Sequence, residues 1–310
     1  CDFVIMDEAS MLDLRLAAAL VRAIPPQAHL LLVGDADQLP SVGSGNVLKD
    51  LIDSKLLTVT RLEVTFRQAE NSGIVGLAHG ILGGKASPPP PIDHASALDP
   101  RHDVHFVRAN TPEDCVKAVT LLCREILPKK FSVDVRTQVQ VLAPLHRGIG
   151  GIGNLNDQIR DAINPTGATQ VMGPFLFREG DKVIQTRNNY DKDVFNGDMG
   201  IVDAVDTLNG KVEIVFDDRR IVYERMEVTD LQPAYAISVH KSQGSEYPVI
   251  IFPLLKQHFM MLQRNLVYTG LTRAKKKVVF VGDPSAYAMA IRNDKTLVRQ
   301  TDLIRKLTSG

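Results

Sequence analysis

The sequence predicts a multidomain α/β protein that contains parallel sheets and one small all-β domain. Two observations carry this prediction. Short apolar runs that end in an acidic or turn residue alternate with helical stretches, and one region of the chain holds only strand-like pieces and turns. The 310 residues have room for two domains of the usual size of about 100 to 200 residues. With 44% hydrophobic and 23% charged residues, the chain has a globular composition, which argues against general disorder.

The apolar runs predict strands buried on both faces, as in a parallel sheet covered by helices. They are Phe3 to Met6, Leu30 to Val33, Val139 to Leu142, Val249 to Phe252 and Val278 to Val281. Apolar residues at helical spacing predict a helix from Leu12 to Ile24, which ends at Pro25. A second helix is predicted from Thr111 to Leu127, ending at Pro128. Strands and helices that alternate in this way are typical of α/β proteins.

Two stretches interrupt the alternation. Gly83 to Pro91 contains glycine, serine and four consecutive prolines, which continue neither a helix nor a central strand, so we predict a linker there. The second stretch has four alternating, strand-like pieces with turn signals between them. They are Asp181 to Arg187, Gly200 to Val205, Lys211 to Phe216 and Arg220 to Tyr223. The predicted domains are residues 1–85, 86–177, 178–232 and 233–310, where the all-β third segment interrupts one α/β domain.

Bulk composition excludes several classes of protein. Lys and Arg together count 36, as do Asp and Glu, so net charge does not indicate a nucleic-acid partner, and any basic groove must be local. Three scattered cysteines, Cys1, Cys115 and Cys123, fit neither a disulfide framework nor a zinc site. No apolar run reaches the roughly 18 residues of a membrane span, and the first residues are acidic where a signal peptide is basic. We therefore expect a cytoplasmic protein without membrane contact.

Asp7 and Glu8 directly follow the first predicted strand, the position where nucleotide-hydrolysing α/β proteins place catalytic carboxylates. An aspartate there is suited to hold Mg²⁺, which prefers carboxylate and water oxygens. The adjacent glutamate is suited to orient and deprotonate an attacking water. The alternative is a solvated strand end, because an Asp-Glu pair after a strand is common.

A second polar segment, Gly34 to Gly43, follows the next predicted strand about thirty residues later, a spacing of one helix and one strand. Its carboxylates are therefore expected beside Asp7 and Glu8 at the carboxyl edge of a parallel sheet, where ligands bind. Gln38 in this segment is suited to sense a γ-phosphate. An ordinary turn explains Gly-Asp-x-Asp, but not the following Gln-Leu-Pro-Ser-Val-Gly.

Together these two segments resemble motifs II and III of superfamily-one helicases of the RecD branch, the exodeoxyribonuclease V alpha subunit family. Later segments resemble other motifs of that family in the same order. These are Thr65 to Gln68 (arginine-glutamine motif), Val141 to Pro144 with the glycines that follow (motif IV), Ala236 to Glu246 (motif V) and Leu266 to Ala274 (motif VI). The resemblance extends from residue 1 to about residue 283.

The resemblance implies P-loop NTPase architecture, with two RecA-like domains that bind ATP and Mg²⁺ between them and an SH3-like β-barrel inserted in the second. It implies catalytic roles for Glu8, Gln38, Arg67 and Arg273, and a metal-binding role for Asp7. The two arginines are expected as arginine fingers, because a planar guanidinium matches the charge that develops on phosphate oxygens. An isolated arginine is otherwise usually a solvated surface charge.

Further binding residues follow from the same motifs. Gly244 and Glu246 are expected at the nucleotide, although Glu246 could instead only hold the neighbouring loop. The residues expected at single-stranded DNA are Ser41, Val42, His146, Arg147, His240, Lys241 and Ser242. The barrel insert lies over the DNA in this family, so its basic residues Lys182, Arg187 and Lys192 are additional candidates, or solvating charges only.

One family feature is missing from the sequence. A phosphate-binding P-loop has the pattern Gly-x-x-x-x-Gly-Lys-Ser/Thr between a strand and a helix. Gly83 to Ser87 approaches it but has the wrong spacing and leads into prolines. We therefore expect the sequence to be a segment of a longer helicase, from motif II onward, that is inactive by itself. Residues 1–60 are expected to pack poorly alone, because their sheet lacks its central strand.

The predicted function is an ATP-dependent helicase that translocates on single-stranded DNA, 5′ to 3′ by family resemblance, in recombination or repair. Its expected partners are single-stranded DNA, duplex junctions and RecB/RecC-type subunits. The alternatives are an RNA helicase or conjugative relaxase helicase domain of the same superfamily, or a catalytically dead DNA-binding scaffold. Gln-Leu-Pro-Ser-Val-Gly and His-Lys-Ser-Gln-Gly favour the RecD branch, and the set of catalytic candidates argues against the scaffold.

Overall fold

A computed structural model describes residues 1–62, 72–172, 175–294 and 301–309. The strands are β1 Phe3–Met6, β2 His29–Leu32, β3 Pro91–Ile92, β4 Val104–Arg108, β5 Val139–Ala143, β6 Thr169–Met172, β7 Phe175–Arg178, β8 Lys182–Gln185, β9 Met199–Asp206, β10 Lys211–Phe216, β11 Arg219–Tyr223, β12 Leu231–Pro233, β13 Ala236–Ser238, β14 Tyr247–Leu254 and β15 Ala274–Gly282. The α-helices are α1 Leu14–Ala23, α2 Val47–Ser54, α3 Gly73–Leu82, α4 Pro112–Leu121, α5 Leu127–Phe131, α6 Val135–Gln138, α7 Ile152–Ile163, α8 Arg264–Thr272, α9 Pro284–Arg292 and α10 Leu303–Thr308.

The chain forms two compact units. The first comprises residues 1–87, 262–272 and 289–310, and the second comprises residues 88–261 and 273–288. The boundary after residue 87 lies inside the predicted proline-rich linker. The predicted domain of residues 233–310 is divided between the units, because α8 packs on α3 and α10 packs on α2, both helices of the first unit.

The first unit is built on a two-stranded parallel sheet in which Met6 of β1 lies beside Leu32 of β2. α1 connects the strands, and the Asp13 side chain caps it by accepting from the Leu16 amide at 2.8 Å. Apolar side chains remain uncovered: Phe3 is 54% and Ile5 is 64% exposed, and no residue of α1 is buried. This exposure agrees with the expectation that residues 1–60 pack poorly alone.

A six-stranded parallel sheet with the order β13-β5-β14-β15-β4-β3 forms the centre of the second unit. All five residues of β5 are buried, as predicted for a strand covered on both faces. On one face, the rings of Phe106, Phe252, Phe280 and Tyr287 pack together with centroid separations of 5.4–6.2 Å. The strand predictions for this sheet are confirmed.

The predicted end of a helix at Pro128 is wrong. After α4 the chain makes a π-helical turn, Leu122–Ile126, and continues directly into α5, where Pro128 occupies the first turn. The φ of Pro128 suits a helix, and the chain stays helical although Pro128 has no N–H to donate to the π-helical turn before it.

The all-β insert is a five-stranded antiparallel sheet with the order β11-β10-β9-β8-β12. It has a core of its own, in which Ile214 and Tyr223 are completely buried. The predicted strand at residues 211–216 has the observed bounds, and Gly210 provides the positive φ of 67° that the preceding turn requires.

A buried polar seam connects this all-β insert, which we call the barrel after the SH3-like barrel expected here, to the parallel sheet of the same unit. The Lys182 ammonium donates to the Val139 carbonyl at 3.1 Å and to Gln140 Oε1 at 2.8 Å. Burial lowers the pKa of Lys182 to about 8. Asp181 accepts from Asn164 Nδ2 at 2.8 Å, and burial raises its pKa. The suggestion that Lys182 touches DNA is therefore wrong, since only 3% of this residue is exposed.

Across the described residues, none of the helices combines the length and the apolar character that crossing a bilayer requires.

Candidate nucleotide and DNA sites

Asp7 and Glu8 lie in the first unit at the carboxyl end of β1, as predicted. The Asp7 side chain is exposed, and its Oδ1 accepts from the Glu8 amide at 2.8 Å. Glu8 has a left-handed φ of 52° and precedes a short 3₁₀ turn, Ala9–Met11. A non-glycine residue in this region carries backbone strain, as Lys55, Ser132, Asp193 and Asp217 also do at helix ends and turns.

The loop after β2 passes close to the loop after β1. The Ala9 amide donates to the Val33 carbonyl at 2.8 Å. At Gly34, a Cβ atom would lie 2.9 Å from the Ala9 nitrogen and 3.0 Å from the Ser10 nitrogen. Glycine at this position therefore permits the two carboxylate-bearing loops to meet at one sheet edge, as the spacing of the motifs predicts.

Asp35 organises the second of these loops. Its carboxylate accepts from the Asp37 amide at 3.0 Å, from Gln38 Nε2 at 3.2 Å and from the Tyr268 hydroxyl at 2.9 Å. The Leu39 amide donates to Thr269 Oγ1 at 2.8 Å. Sequence reasoning missed Tyr268 and Thr269 as partners of this loop, although both lie inside the segment identified as motif VI.

Gln38 lines a pocket of about 150 Å³ in the first unit. Its Oε1 is buried and has no hydrogen-bond partner among the described residues. Burial, followed by the neighbouring Asp35 charge, raises the pKa of Asp37 at the same pocket. The Gln38 amide is therefore held by Asp35 at one end and keeps an accepting oxygen at the other.

Asp7 suits Mg²⁺ in kind, because an exposed carboxylate supplies the hard oxygen that this ion prefers. Within the described residues, no group of three or more His, Cys, Asp or Glu side chains converges as a metal site. Among the described residues, Asp7 is therefore a single candidate carboxylate ligand and not part of a preformed cluster.

The candidates from motifs V and VI lie in the second unit. Arg273 is 5% exposed and donates from Nη1 to the Ser245 carbonyl at 3.3 Å, while its Nε is buried without a partner in the described part of the chain. Glu246 pairs with Lys275 at 3.4 Å. Gly244 has a φ of 75° and open space around it, which leaves its backbone accessible. Arg67, the other predicted arginine finger, lies outside the described residues.

Four of the predicted DNA contacts come to one sheet edge in the second unit. His146 and Arg147 follow β5, and His240 and Lys241 follow β13, the parallel neighbour of β5. His146 and Arg147 are exposed. Lys241 donates to Gln232 Oε1 at 3.1 Å, and partial burial lowers its pKa.

The three remaining residues that were predicted to contact DNA differ in their exposure to solvent. Val42 is 83% exposed, whereas Ser41 beside it is buried and donates to the Gly43 carbonyl at 3.3 Å. Ser242 is completely buried and donates to the Val239 carbonyl at 2.8 Å. A phosphate contact by the Ser41 or Ser242 hydroxyl would therefore first require that hydroxyl to leave its present partner.

On the barrel, Arg187 is the most exposed of the three basic candidates, with 79% of its side chain accessible. Lys192 pairs with Glu227 at 2.5 Å and donates to the Val222 carbonyl at 2.6 Å. The Lys192 ammonium is thus bound by groups of the barrel itself. Of the three candidates, Arg187 is the accessible cation.

The chain matches three families of domains. Residues 2–109 match a family described as AAA domain, residues 155–216 match the ATP-dependent RecD-like DNA helicase SH3 domain, and residues 233–281 match the UvrD-like helicase C-terminal domain. The second match supports the SH3-like identification of the insert.

Two curated relatives illustrate the resemblance. The chain is 33% identical over 306 residues to the ATP-dependent RecD2 DNA helicase of Deinococcus radiodurans, covering 99% of this chain and 40% of the relative. It is 30% identical over 315 residues to the RecBCD enzyme subunit RecD of Mycolicibacterium smegmatis, covering 99% of this chain and 54% of the relative. The chain therefore spans about half or less of the length of these relatives.

Solved structures support the fold. A Pif1 helicase from Bacteroides in complex with ADP-AlF3 and single-stranded DNA aligns with a TM-score of 0.57 at 16% identity, covering 99% of this chain and 75% of that chain. A second Bacteroides Pif1 structure, bound to single-stranded DNA, aligns with a TM-score of 0.53 at 15% identity, covering 100% and 75%. The predicted resemblance to RecD-like superfamily-one helicases and the predicted fold class are confirmed.

Proposed function

Because the chain is RecD-like along nearly its whole length, we propose that it is the motor segment of an ATP-dependent DNA helicase that moves 5′ to 3′ on single-stranded DNA. The proposal concerns the full-length protein, since the relatives extend well beyond the matched region. The observation that carries it is the meeting of Asp7 and Glu8 with the Asp35–Gln38 loop at the carboxyl edge of β1 and β2.

Asp7, Glu8 and Gln38 would have different roles in ATP hydrolysis. Bound ATP supplies the phosphoryl group, and Mg²⁺ neutralises charge on its oxygens. Asp7 would hold the ion, and Glu8 would orient the attacking water and accept its proton. Gln38, held through Asp35, would register whether a γ-phosphate is present. Arg67 and Arg273 would stabilise the charge that develops on the transferred group.

The second unit would bind both ligands of the motor. Gly244 and Glu246 would contact the nucleotide. His146, Arg147, His240 and Lys241, at the ends of β5 and β13, would contact the phosphates of single-stranded DNA. Ser41 and Val42 of the first unit and Ser242 of the second complete the proposed DNA set. The two serines would first have to release their present hydrogen bonds.

We assign the full-length protein to DNA recombination or repair in the cytoplasm, at single-stranded DNA and duplex junctions. A relative's name, RecBCD enzyme subunit RecD, supports partners of the RecB and RecC type. An interaction test with such subunits is the direct check of that assignment.

The test of the activity is ATP hydrolysis by the full-length protein, with and without single-stranded DNA. We expect DNA to stimulate hydrolysis and Glu8→Gln to reduce the rate about 10²- to 10⁴-fold, the usual contribution of a general base. Glu113→Gln is the matched control, because it makes the same change in charge at an exposed position of α4. DNA binding without stimulated hydrolysis in the wild type would instead support a DNA-binding scaffold, and stimulation by RNA alone would support an RNA helicase.

A further inference from the structure

The loop between β8 and β9 displays two aromatic rings to solvent. Tyr190 is 77% exposed and Phe195 is 39% exposed. Their ring centroids lie 6.0 Å apart with an interplanar angle of 74°, an edge-to-face arrangement. The two rings therefore form one exposed aromatic surface, which we call the aromatic pair.

This loop is braced by its own hydrogen bonds. Asn189 and Val194 exchange backbone hydrogen bonds of 2.7 and 3.0 Å, and Val194 is completely buried in the barrel core. The Asn196 amide donates to Asn188 Oδ1 at 2.9 Å, and the Phe195 amide donates to Asp198 Oδ2 at 2.8 Å. The backbone and Val194 thus hold the loop in place, with Tyr190 mostly exposed and Phe195 partly exposed.

The loop carries two basic residues, Arg187 and Lys192, and three acidic residues, Asp191, Asp193 and Asp198. Arg187, at its start, is exposed, and among the described residues it has one ion pair, with Asp230 at 3.7 Å. Asp193 pairs with Arg219 at 2.8 Å, and Lys192 pairs with Glu227. The loop is therefore not a basic patch. Its accessible chemistry consists of two aromatic faces, one guanidinium near the start of the loop and the exposed Asp191 carboxylate next to Tyr190 in the chain.

Aromatic rings held in place at a surface suit one kind of ligand that this motor would meet. Every unpaired nucleic-acid base has a flat π-face that stacks on an aromatic side chain, whatever the sequence. Duplex DNA hides these faces, and phosphates alone gain nothing from a neutral ring. The aromatic pair therefore selects for unpaired bases, and a single guanidinium can add one phosphate contact.

We propose that Tyr190 and Phe195 form a base-stacking platform for single-stranded DNA, with Arg187 binding a phosphate of the same strand. The inference rests on the proposed function and adds a DNA contact on the barrel that uses bases, whereas the contacts proposed at β5 and β13 use phosphates. The buried Lys182 hydrogen bonds join β8, the strand that leads into this loop, to the parallel sheet, so the contacts proposed on the loop and on that sheet lie in one compact unit.

The test measures equilibrium binding of the nucleotide-free full-length protein to labelled oligothymidylate and to an abasic deoxyribose-phosphate strand of the same length. The double variant Tyr190→Ala/Phe195→Ala is expected to weaken oligothymidylate binding about 5- to 150-fold per stacked base and to leave abasic binding unchanged. The conservative Tyr190→Phe keeps the ring and is expected to retain wild-type binding. Leu208→Ala, at a 95% exposed barrel position, is the matched surface control and is expected to change neither affinity.

Each outcome decides the proposal. Unchanged oligothymidylate binding by the double variant, or equal losses on both strands, overturns the platform while DNA binding by the wild type still supports the motor. Absence of single-stranded DNA binding in the wild type overturns the proposed function itself. As a second readout, photocrosslinking of an iodouracil-substituted strand is expected to label Tyr190 or Phe195, and labels confined to other residues would contradict the platform.

Discussion

The two parallel sheets of this chain arise from the same kind of sequence and differ greatly in burial. β1 and β5 are both short apolar runs that end before turn or acidic residues. Every residue of β5 is buried between helices and neighbouring strands, whereas Phe3 and Ile5 of β1 are more than half exposed. An apolar run thus determines that a strand forms, but the elements packed on it determine how much that strand stabilises the protein.

The largest effect should come from a matched pair of phenylalanines in the two sheets. Phe280→Ala removes a completely buried ring from the aromatic cluster of β15 and should cost about 3–5 kcal/mol of unfolding free energy. Phe3→Ala should cost about 1 kcal/mol or less, because more than half of that side chain is already in water. Urea unfolding of the 310-residue chain, followed by hydrogen exchange in each strand, measures both. Equal losses of unfolding free energy in the two variants would show that the difference in burial does not change how much each sheet stabilises the protein.

A glycine substitution tests the contact between the two loops of the first unit. Gly34→Ala places a Cβ atom 2.9 Å from the Ala9 nitrogen and should cost about 1–3 kcal/mol, together with loss of ATP hydrolysis in the full-length protein. Gly76→Ala, in α3 with open space around it, should instead stabilise the protein by up to about 1 kcal/mol. Tolerance of alanine at residue 34 would mean that the loops need not approach so closely.

The pH dependence of stability tests the seam in the second unit. Burial lowers the pKa of Lys182 from 10.5 to about 8, so between these values the unfolded chain binds more protons than the folded one at this residue. Stability contributed by Lys182 should therefore rise as pH increases from about 8 to 10.5. Lys182→Met should remove that rise, whereas Lys211→Met, with an ammonium at the barrel surface, should retain it. The urea concentration at the unfolding midpoint, measured across this pH range, tests the prediction. If it changes with pH in the same way for wild type and Lys182→Met, the lowered pKa does not belong to Lys182.

A smaller effect is expected at the hydroxyl that holds Asp35. Tyr268→Phe removes its 2.9 Å hydrogen bond and should cost about 0.5–1.5 kcal/mol. In the full-length protein the rate of ATP hydrolysis should also fall, because the Asp35 carboxylate that holds Gln38 loses one of its own hydrogen bonds. Tyr287→Phe makes the same change at a hydroxyl that has no hydrogen-bond partner among the described residues, and it should lower neither quantity. An unchanged rate in Tyr268→Phe would separate this hydrogen bond from the chemistry.

The local sequence pattern predicted helices and strands more reliably than it predicted which distant residues contact one another. The alternation of residues 211–216 gave the bounds of β10, and the spacing of motifs II and III correctly placed their loops on adjacent strands. The hydrogen bond between Asp35 and Tyr268 joins positions 233 residues apart, and no period in the sequence reports such a pair. Lys182 was misjudged for the same reason, since a lysine in a barrel strand looks solvated until its distant partners are known.

The most direct test of the central claim is strand displacement by the full-length protein on a short DNA duplex with a single-stranded tail. We predict unwinding of the 5′-tailed duplex that requires ATP and Mg²⁺ and is lost in Glu8→Gln. Two results would contradict the proposal that this chain is a segment of a DNA helicase motor. One is failure to unwind both the 5′-tailed and the 3′-tailed duplex under conditions where the protein binds the tail, and the other is unwinding that persists without ATP.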